Sequence, residues 1–276
     1  MNTPFLHLFD KNVITILGLM SGTSADGLDI CRVRFEGRDR YPLYEVLATH
    51  FIPYPELFSS AFKHPLELLA SDIARLNMEL GKWVGKTIET YAGSCDAIAN
   101  HGQTLLHRPP DYTLQIGEAT CIAQICGLPV IYDFRKADVC LGGQGAPLIP
   151  IVDDYLLRRE DTSVIALNMG GIANLTYLPP RSSNEPILAW DTGPANTLID
   201  KAIIDFTHGE KTYDNKGEYA QKGTLNSDLL HYMMDHPYFK QNPPKSAGQE
   251  QFGYDYYYTL KSHISLKHEN DWLSFI

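Results

Sequence analysis

Three short runs near the amino terminus predict β-strands: the first is apolar and rich in residues that favour strands, and in the second apolar and polar residues alternate. The runs are Asn12–Leu19, Leu28–Phe35 and Tyr44–Ile52. A cluster of small residues and turn formers, MSGTSADG, separates the first two runs. The sequence therefore predicts a β-hairpin that is extended by a third strand into a meander.

Helical spacing follows this meander. Between Pro65 and Tyr91 apolar residues recur every three or four positions, which predicts one or two helices. Shorter runs then alternate between strand and helix. The predicted strands are Cys95–Ala99, Thr113–Ile116 and Leu128–Tyr132, the predicted helices are Glu118–Cys126 and Leu148–Arg158, and residues 100–103 and 133–147 are predicted loops.

The second half of the chain begins as the first half does, with a strand, a glycine turn and another strand. The strands are Ser163–Leu167, Leu175–Leu178 and Ile187–Trp190, followed by helices at Pro194–Phe206 and Leu225–His236. A charged patch at residues 158–161 marks the expected boundary between a domain of residues 1–160 and one of residues 161–276. The fold class is therefore predicted as α/β, with a β-β-β-α topology that occurs twice.

Composition and charge narrow the classes of ligand. The 276 residues are 44% hydrophobic and 20% charged, which is enough apolar material for two ordinary cores. With 23 Lys and Arg against 33 Asp and Glu the net charge is −10, which disfavours binding to nucleic acid or to an anionic membrane. A phosphate-bearing ligand must therefore be held by local donors such as backbone N–H groups.

The cysteines and the amino terminus indicate a reducing compartment. Five cysteines, none of them in a CxxC spacing, argue against a disulfide framework or a zinc site. No basic, apolar leader and no run of transmembrane length is found, so we expect a cytoplasmic protein.

The segment from Gly18 to Asp29 offers an anion-binding turn. It contains two glycines that allow close backbone approach and φ > 0, two hydroxyl donors, and two acids that suit a hydrated Mg²⁺: Gly22, Gly27, Thr23, Ser24, Asp26 and Asp29. The segment matches neither the P-loop pattern GxxxxGK(S/T) nor the dinucleotide-binding pattern GxGxxG. Composition alone favours a tight hairpin with polar turn residues.

Two further motifs follow the strands of the second half. In NMGGIAN, Gly170 and Gly171 suit a phosphate and Asn174 suits a ligand oxygen, although a simple β-turn is an equally good interpretation. Asp191 leaves the end of an apolar strand, which is a favourable position for a general base. The alternative is that Asp191 caps the helix that follows.

Three polar loops carry amide, imidazole and guanidinium groups that suit sugar hydroxyls and a carboxylate. They are residues 100–104, 133–135 and 142–147. Arg135 is suited to a bidentate pair with a ligand carboxylate, or to a salt bridge with Asp133. His101 taken alone is more typical of a loop or core histidine. The segment PPKSAGQE at 243–250 is interpreted as a surface loop, with Lys245 as a potential phosphate partner.

Seven ordered segments resemble the anhydro-N-acetylmuramic acid kinase family: GLMSGTSADGLDI, ANHGQTLLHRPP, LQIGEATCIA, DFRKADVCLGGQGAPLIP, LNMGGIANLTYLP, DTGPANTLID and PPKSAGQEQF. That family is part of the superfamily of sugar kinases, actin and heat-shock chaperones. The resemblance implies two actin/hexokinase-like α/β domains around an ATP cleft.

The resemblance also implies a reaction and a set of site residues. Water opens 1,6-anhydro-N-acetylmuramic acid and ATP, with Mg²⁺, phosphorylates O6. Asp191 matches the catalytic base. The residues that match the first phosphate turn are Gly22, Thr23, Ser24, Ala25, Asp26, Gly27, Leu28 and Asp29. Those that match the second phosphate turn are Gly170 and Gly171. The matching loops assign sugar contacts to His101, Gln103, Arg135 and Gln144, to which we add Asn174. The implied partner is this small amino sugar, and a homodimer is a further expectation.

The chain departs from the family pattern at several positions. Ala25 stands where Leu is frequent, Ala195 where Gly is usual and Gln249 where Arg is usual. After Phe252 the resemblance is expected to fade, so the second domain is predicted to be incomplete and to lack a glycine-rich turn over adenosine. An inactive remnant and a related amino-sugar binding protein are therefore alternatives to an active kinase.

Overall fold

The computed structural model describes residue 8 and residues 10–22, 25–39, 41–63 and 65–263 of the chain. The chain divides into two compact units, residues 1–146 and 147–276. The predicted boundary at residue 160 stays a prediction. The contact-based division lies before helix α5 (Ile149–Leu157), which contacts strands of the second unit.

The first unit is built on a five-stranded sheet in the order β3-β2-β1-β4-β7. Its strands are β1 (Val13–Met20), β2 (Gly27–Glu36), β3 (Leu43–Pro53), β4 (Ala97–Asn100) and β7 (Val130–Tyr132), and a separate hairpin pairs β5 (Gln103–Arg108) with β6 (Tyr112–Ile116). The first three strands are antiparallel, whereas β4 and β7 run parallel to β1. The predicted meander is confirmed.

Among the described residues, four α-helices complete the first unit: α1 (Glu56–Lys63), α2 (Ala70–Ala92), α3 (Ala119–Cys126) and α4 (Lys136–Cys140). The long helix α2 buries one face, on which Leu80, Val84 and Ile88 recur at helical spacing. This face packs in one core with Leu17 and Leu19 of β1. The predicted helical region is confirmed, and its amphipathic spacing is the reason why it could be recognised.

The second unit has a three-stranded antiparallel sheet in the order β10-β9-β8. Its elements are β8 (Val164–Met169), β9 (Ile172–Leu178) and β10 (Leu188–Pro194), and helices α5, α6 (Asn196–Phe206), α7 (Ser227–Met234), α8 (Gln249–Phe252) and α9 (Tyr254–His263). Leu198, Ala202, Leu229, Tyr257 and Leu260 form its helical core.

The α/β class and the repeated order of three strands followed by a helix are confirmed. The prediction of a polar loop is wrong at Gln103, because this residue begins β5 and its amide is buried. Helix α1 was not predicted. Within the described ranges, no helix has both the length and the apolar character needed to cross a bilayer.

Candidate active site

The first glycine turn joins β1 to β2 and is anchored from beneath by Ser21. The buried Ser21 hydroxyl bonds to the Gln103 side-chain oxygen and accepts a hydrogen bond from the Tyr54 hydroxyl at 2.6 Å. The Gln103 amide nitrogen in turn donates to the Gly22 carbonyl at 3.2 Å. Because all three side chains are buried, this network fixes the turn.

Two residues of this turn behave differently from the prediction. Gly27 was expected to take φ > 0, but a Cβ on Gly27 would lie 2.5 Å from the Ile52 carbonyl oxygen, so glycine is required there for close packing on β3. Ala25 has φ 54 instead. Leu28 belongs to the core. Thr23 and Ser24 lie outside the described residues.

Asp26 and Asp29, the two acids of the segment, are exposed beside the first turn. The Asp26 carbonyl accepts a hydrogen bond from the Tyr54 N–H at 2.9 Å, which ties the turn to the end of β3. Burial, with a contribution from the charge of Asp26, raises the pKa of Tyr54 to about 12, so the phenol stays a donor to Ser21. Within the part of the chain that the structure describes, no group of three His, Cys, Asp or Glu side chains forms a metal cluster.

His101 and Arg135 form a second polar cluster in the first unit. Arg135 donates through Nε to His101 Nε2 at 3.0 Å and through its terminal nitrogen to the Gly145 carbonyl at 2.7 Å. The Gly145 N–H reaches the Asp138 carboxylate at 2.6 Å. Arg135 therefore connects the loop after β4 to the loop that follows α4.

Burial lowers the pKa of His101 below its ordinary value, and the nearby charge of Arg135 lowers it further. His101 Nδ1 lies 2.7 Å from the Gly102 carbonyl, so the proton is assigned to Nδ1 and Nε2 accepts from Arg135. Burial also lowers the pKa of Arg135. The cluster therefore presents a neutral imidazole and one guanidinium.

The alternative salt bridge between Asp133 and Arg135 is not formed. Asp133 pairs with Lys136 at 2.8 Å, one helical turn away, whereas Arg135 is directed at His101 and Gly145. Of the other predicted sugar contacts, Gln103 uses its amide within the protein, and Gln144 offers its backbone to His107.

A cavity of about 420 Å³ lies between α2 and β6, and the paired residues Asp133 and Lys136 are part of its lining. Its lining includes Gln115 and the Gly117–Glu118 turn, both from the LQIGEATCIA segment, to which no site residue was assigned. Among the described atoms, Gln115 Oε1 and Asp133 Oδ1 are buried acceptors without a hydrogen-bond partner. Unsatisfied acceptors of this kind suit the hydroxyl or amide donors of a polar ligand.

The second glycine turn, between β8 and β9, is joined to the start of α6. The carbonyls of Gly170 and Gly171 accept from Asn196 N at 3.0 Å and Thr197 N at 3.1 Å. The two glycine carbonyls therefore cap the amino-terminal end of α6. The N–H groups of Asn196 and Thr197 donate to these carbonyls and are not available to a ligand.

The two glycines of this turn differ in how closely the surrounding atoms approach them. A Cβ on Gly171 would lie 2.7 Å from Thr197 Oγ1, so packing alone requires glycine there. A Cβ on Gly170 would meet nothing closer than the Ile172 carbonyl at 3.7 Å. Neither packing nor a positive φ explains Gly170, which leaves that side of the turn accessible to a ligand.

Asp191 lies within β10 and is held through both its backbone and its side chain. Its N–H donates to the Lys245 carbonyl at 3.0 Å, and its carbonyl accepts from the Tyr238 hydroxyl at 2.6 Å. Its carboxylate accepts from the Ala247 N–H at 2.8 Å. The alternative that Asp191 caps α6 is wrong, because Ala195 holds that position and α6 begins at Asn196.

The segment 243–250 is therefore more than the surface loop that the sequence suggested. It supplies two of the three hydrogen bonds to Asp191 just described. Lys245, expected as a phosphate partner, donates to the Tyr238 carbonyl at 3.0 Å and lies 4.5 Å from the centre of that ring. No periodicity marks this segment, so only the contact itself identifies it.

Asn174 lies directly opposite Asp191 in the β9–β10 pairing, and Asn168 lies opposite Asn174 in the β8–β9 pairing. Residues directly opposite one another point to the same face of a sheet. One face of the second sheet therefore carries two amides and a carboxylate in a row across three strands. The predicted Asn174 and Asp191 are thus brought together.

Comparisons with known proteins agree with the resemblance. The profile of the anhydro-N-acetylmuramic acid kinase family matches residues 14–272. A protein of that name from Microcystis aeruginosa is 39% identical, with 94% of this chain and 73% of the relative covered. One from Gloeothece citriformis is 38% identical, with 87% and 67% covered, and one from Caldanaerobacter subterraneus is 38% identical, with 91% and 68% covered. The match runs past Phe252, so the expectation that it fades there is wrong.

Proposed function

Because this chain belongs to the anhydro-N-acetylmuramic acid kinase family, we propose that it opens 1,6-anhydro-N-acetylmuramic acid with water and phosphorylates O6. The products are N-acetylmuramic acid 6-phosphate and ADP. The observation that carries the proposal is the placement of Asp191, whose carboxylate is oriented by the Ala247 N–H and whose backbone is fixed on both sides.

In this proposal Asp191 acts as the general base. It takes a proton from water, the water oxygen bonds to C1, and the bond between C1 and O6 breaks. O6 then takes the phosphoryl group that ATP supplies. A carboxylate that is held by a backbone donor keeps one orientation, which favours proton transfer in a fixed geometry. The opposite amide of Asn174 is suited to orient the sugar or the water beside Asp191.

The family implies the use of ATP, with Mg²⁺ as the usual ion, and the phosphates need backbone donors in a chain of net charge −10. The turn at Gly170 fits this need, since a Cβ there would meet nothing closer than the Ile172 carbonyl at 3.7 Å. We assign the phosphates to the turns at Gly22 and Gly170. Asp26 and Asp29, exposed beside the first turn, are the candidates for holding hydrated Mg²⁺.

The sugar is proposed to contact the polar cluster of the first unit. Arg135 offers a guanidinium for the lactyl carboxylate, and His101 is neutral and buried beside it. Gln144 stays a candidate contact. Gln103 is better suited to positioning the first turn, because its amide is already bonded to Ser21 and Gly22.

The proposal is tested by incubating the chain with ATP, Mg²⁺ and the anhydro sugar in ¹⁸O-labelled water. We expect ADP and a 6-phosphosugar that carries the label at C1. Asp191→Asn, which retains an oxygen to accept from Ala247, should lower turnover by about 10²–10⁴-fold. Asp161→Asn, at an exposed position, is the matched control.

Absence of product at stoichiometric enzyme would contradict the proposal. Saturable sugar binding without turnover would instead support a related amino-sugar binding protein. Label in the phosphate rather than at C1 would contradict the role of water at that carbon.

A further inference from the structure

Asn77 of α2 holds the turn that joins β6 to α3. Its side-chain oxygen accepts from the Gly117 N–H at 2.8 Å, and its side-chain nitrogen donates to the Glu118 carboxylate at 3.0 Å. The Glu118 N–H donates to the Asn77 carbonyl at 3.0 Å. Asn77 therefore binds this turn through both its side chain and its main chain.

Helix α2 lies unusually close to this turn. Gly81 stands one helical turn after Asn77, and a Cβ on Gly81 would lie 2.5 Å from the Glu118 carbonyl oxygen. Gly117 has φ 118, a conformation that residues with a side chain rarely adopt. The two glycines permit the close contact that brings the Asn77 amide within hydrogen-bond distance of the turn.

The apolar packing of α2 does not require an asparagine at position 77. Leu76 and Leu80 are buried in the core of the first unit and anchor the helix there. Asparagine has a low helix propensity, because its side chain competes for main-chain hydrogen bonds. Its place inside the 23-residue helix α2 is explained by the bonds that its side chain makes to the turn.

The turn is bonded to the loop that follows β4. The Gly117 carbonyl accepts from the Asn100 side-chain nitrogen at 3.3 Å, and the Asn100 side-chain oxygen accepts from the Gly102 N–H at 3.3 Å. Gly102 has φ 72, and a Cβ on it would lie 2.6 Å from the Ile116 carbonyl oxygen. Because Asn100 is buried between them, a shift of the turn would move Gly102.

Gly102 in turn orients the cluster of His101 and Arg135. The His101 Nδ1–H donates to the Gly102 carbonyl at 2.7 Å, and His101 Nε2 accepts from Arg135 at 3.0 Å. The hydrogen bond of one imidazole nitrogen decides which nitrogen carries the proton. A continuous series of hydrogen bonds therefore joins α2 to the guanidinium of Arg135.

We propose that Asn77 is a positioning residue for the sugar site, which acts through the Gly117 turn to keep His101 and Arg135 in one orientation. The proposal rests on the proposed function where it assigns the sugar carboxylate to Arg135. The phosphates of ATP are assigned to the turns at Gly22 and Gly170. Loss of Asn77 should therefore weaken binding of the sugar and leave binding of ATP unchanged.

The tautomer of His101 provides a test that does not depend on turnover. Long-range ¹H–¹⁵N NMR spectra at neutral pH, assigned with His101→Gln, should show the proton on Nδ1 in the parent chain. Asn77→Leu removes both hydrogen-bonding groups of the side chain and should shift part of the population to the Nε2–H form. Thr90→Leu, at an exposed position on the same helix, is the matched control and should leave the tautomer unchanged.

A second pair of variants tests the same contact if Asn77→Leu does not fold. Asn77→Asp keeps an acceptor for the Gly117 N–H but places a carboxylate against that of Glu118. Adding Glu118→Gln restores the bond between the two side chains, with donor and acceptor exchanged and the total charge of the parent pair retained. The Nε2–H form should appear in the single variant and disappear in the double variant.

Kinetics measures the consequence for the sugar. Asn77→Leu should raise the KM for the anhydro sugar about tenfold, which corresponds to the loss of one hydrogen bond, with kcat and the KM for ATP little changed. The double variant Asn77→Asp with Glu118→Gln should recover most of this loss. Equal increases of both KM values would overturn the proposal, because they would indicate a general loosening of the first unit.

The NMR result separates this proposal from the proposed function. An unchanged His101 tautomer in folded Asn77→Leu or in Asn77→Asp would overturn the positioning role, and so would an equal shift in Thr90→Leu. A shifted tautomer in Asn77→Leu, in a chain that shows no turnover, would support positioning by Asn77 and contradict the kinase activity alone.

Discussion

The Ala247 N–H donates to the Asp191 carboxylate at 2.8 Å, across 56 residues of sequence. The same segment accepts the Asp191 N–H through Lys245, so it holds both the main chain and the side chain of the proposed base. A hydrogen bond to a charged acceptor contributes about 1.5–3 kcal/mol. Segment 243–250 is therefore a positioning element for Asp191.

Ala247→Pro removes that donor and should lower kcat by roughly 10–100-fold, which corresponds to the energy of one charge-assisted hydrogen bond, with little change in KM. Ala247→Ser keeps the N–H and is the matched control. Tyr238→Phe removes the other support, at the Asp191 carbonyl, and should give a smaller loss. Steady-state kinetics measures kcat and KM of these variants, and circular dichroism checks that each variant is folded. Unchanged kcat in both Ala247→Pro and Tyr238→Phe would show that Asp191 needs no such support.

Gln103→Met should destabilise the first unit by about 1–3 kcal/mol, because it leaves the buried Ser21 hydroxyl and the Gly22 carbonyl without their partner. The free energy of unfolding in urea measures this. Gln221→Met, at an exposed position, should stay within about 0.5 kcal/mol. We also expect a higher KM for ATP in the Gln103 variant. An unchanged free energy of unfolding would mean that the network does not fix the turn.

Gly171→Ala and Gly170→Ala should separate packing from ligand binding at the second turn. Gly171→Ala places a methyl group against Thr197 and should cost about 1–3 kcal/mol of stability. Combining it with Thr197→Ala should recover part of that loss in a double-mutant cycle. Gly170→Ala should leave stability unchanged and raise the KM for ATP. Equal effects of the two single variants on stability would contradict the assignment.

Acid should weaken the first unit through His101. Its pKa is lowered in the folded state, so the unfolded chain binds the proton more readily once the pH falls below about 6.5. The stability contribution is therefore complete above that pH and is lost as the pH falls toward the folded pKa. Unfolding free energies measured between pH 7.5 and 5.5 should decline less in His101→Gln than in the parent chain. An exposed histidine variant, His231→Gln, serves as control. Identical slopes in parent and His101→Gln would exclude this contribution.

Local pattern determined much of the fold in advance. The alternation of apolar residues located β2 to within one residue at each end, because this spacing places apolar side chains on one face of a strand. The run Tyr44–Ile52 located β3 equally closely, although most residues of that strand are exposed. The helical spacing of α2 was recognised for the same reason. The Gly170 turn was found through its position at a strand end. Asp191 was found because it follows an apolar run, although β10 continues past it to Pro194.

The spacing of apolar residues could not predict contacts between residues that are distant in sequence. Gln103 was placed in a loop because a polar residue gives no hydrophobic signal, yet it is buried once Ser21 and Gly22 satisfy its amide. The supports of Asp191 in segment 243–250 were missed because nothing local marks a main-chain N–H as the partner of a distant carboxylate. Gly27 was predicted to be a ligand-binding glycine. The structure shows instead that glycine is needed at this position because a side chain would collide with β3.

The sequence by itself determined the repeated order of three strands and a helix, the acidic charge balance, the motifs that mark the family and the identity of the candidate base. These properties depend on residues that are close together along the chain. Tertiary structure alone decided which donors hold Asp191, which of two adjacent glycines packs against Thr197 and which of the described strands lie at the edges of the second sheet. Each of these properties depends on residues that are close in space but distant in sequence, and the spacing of residue types along the chain does not reveal such contacts.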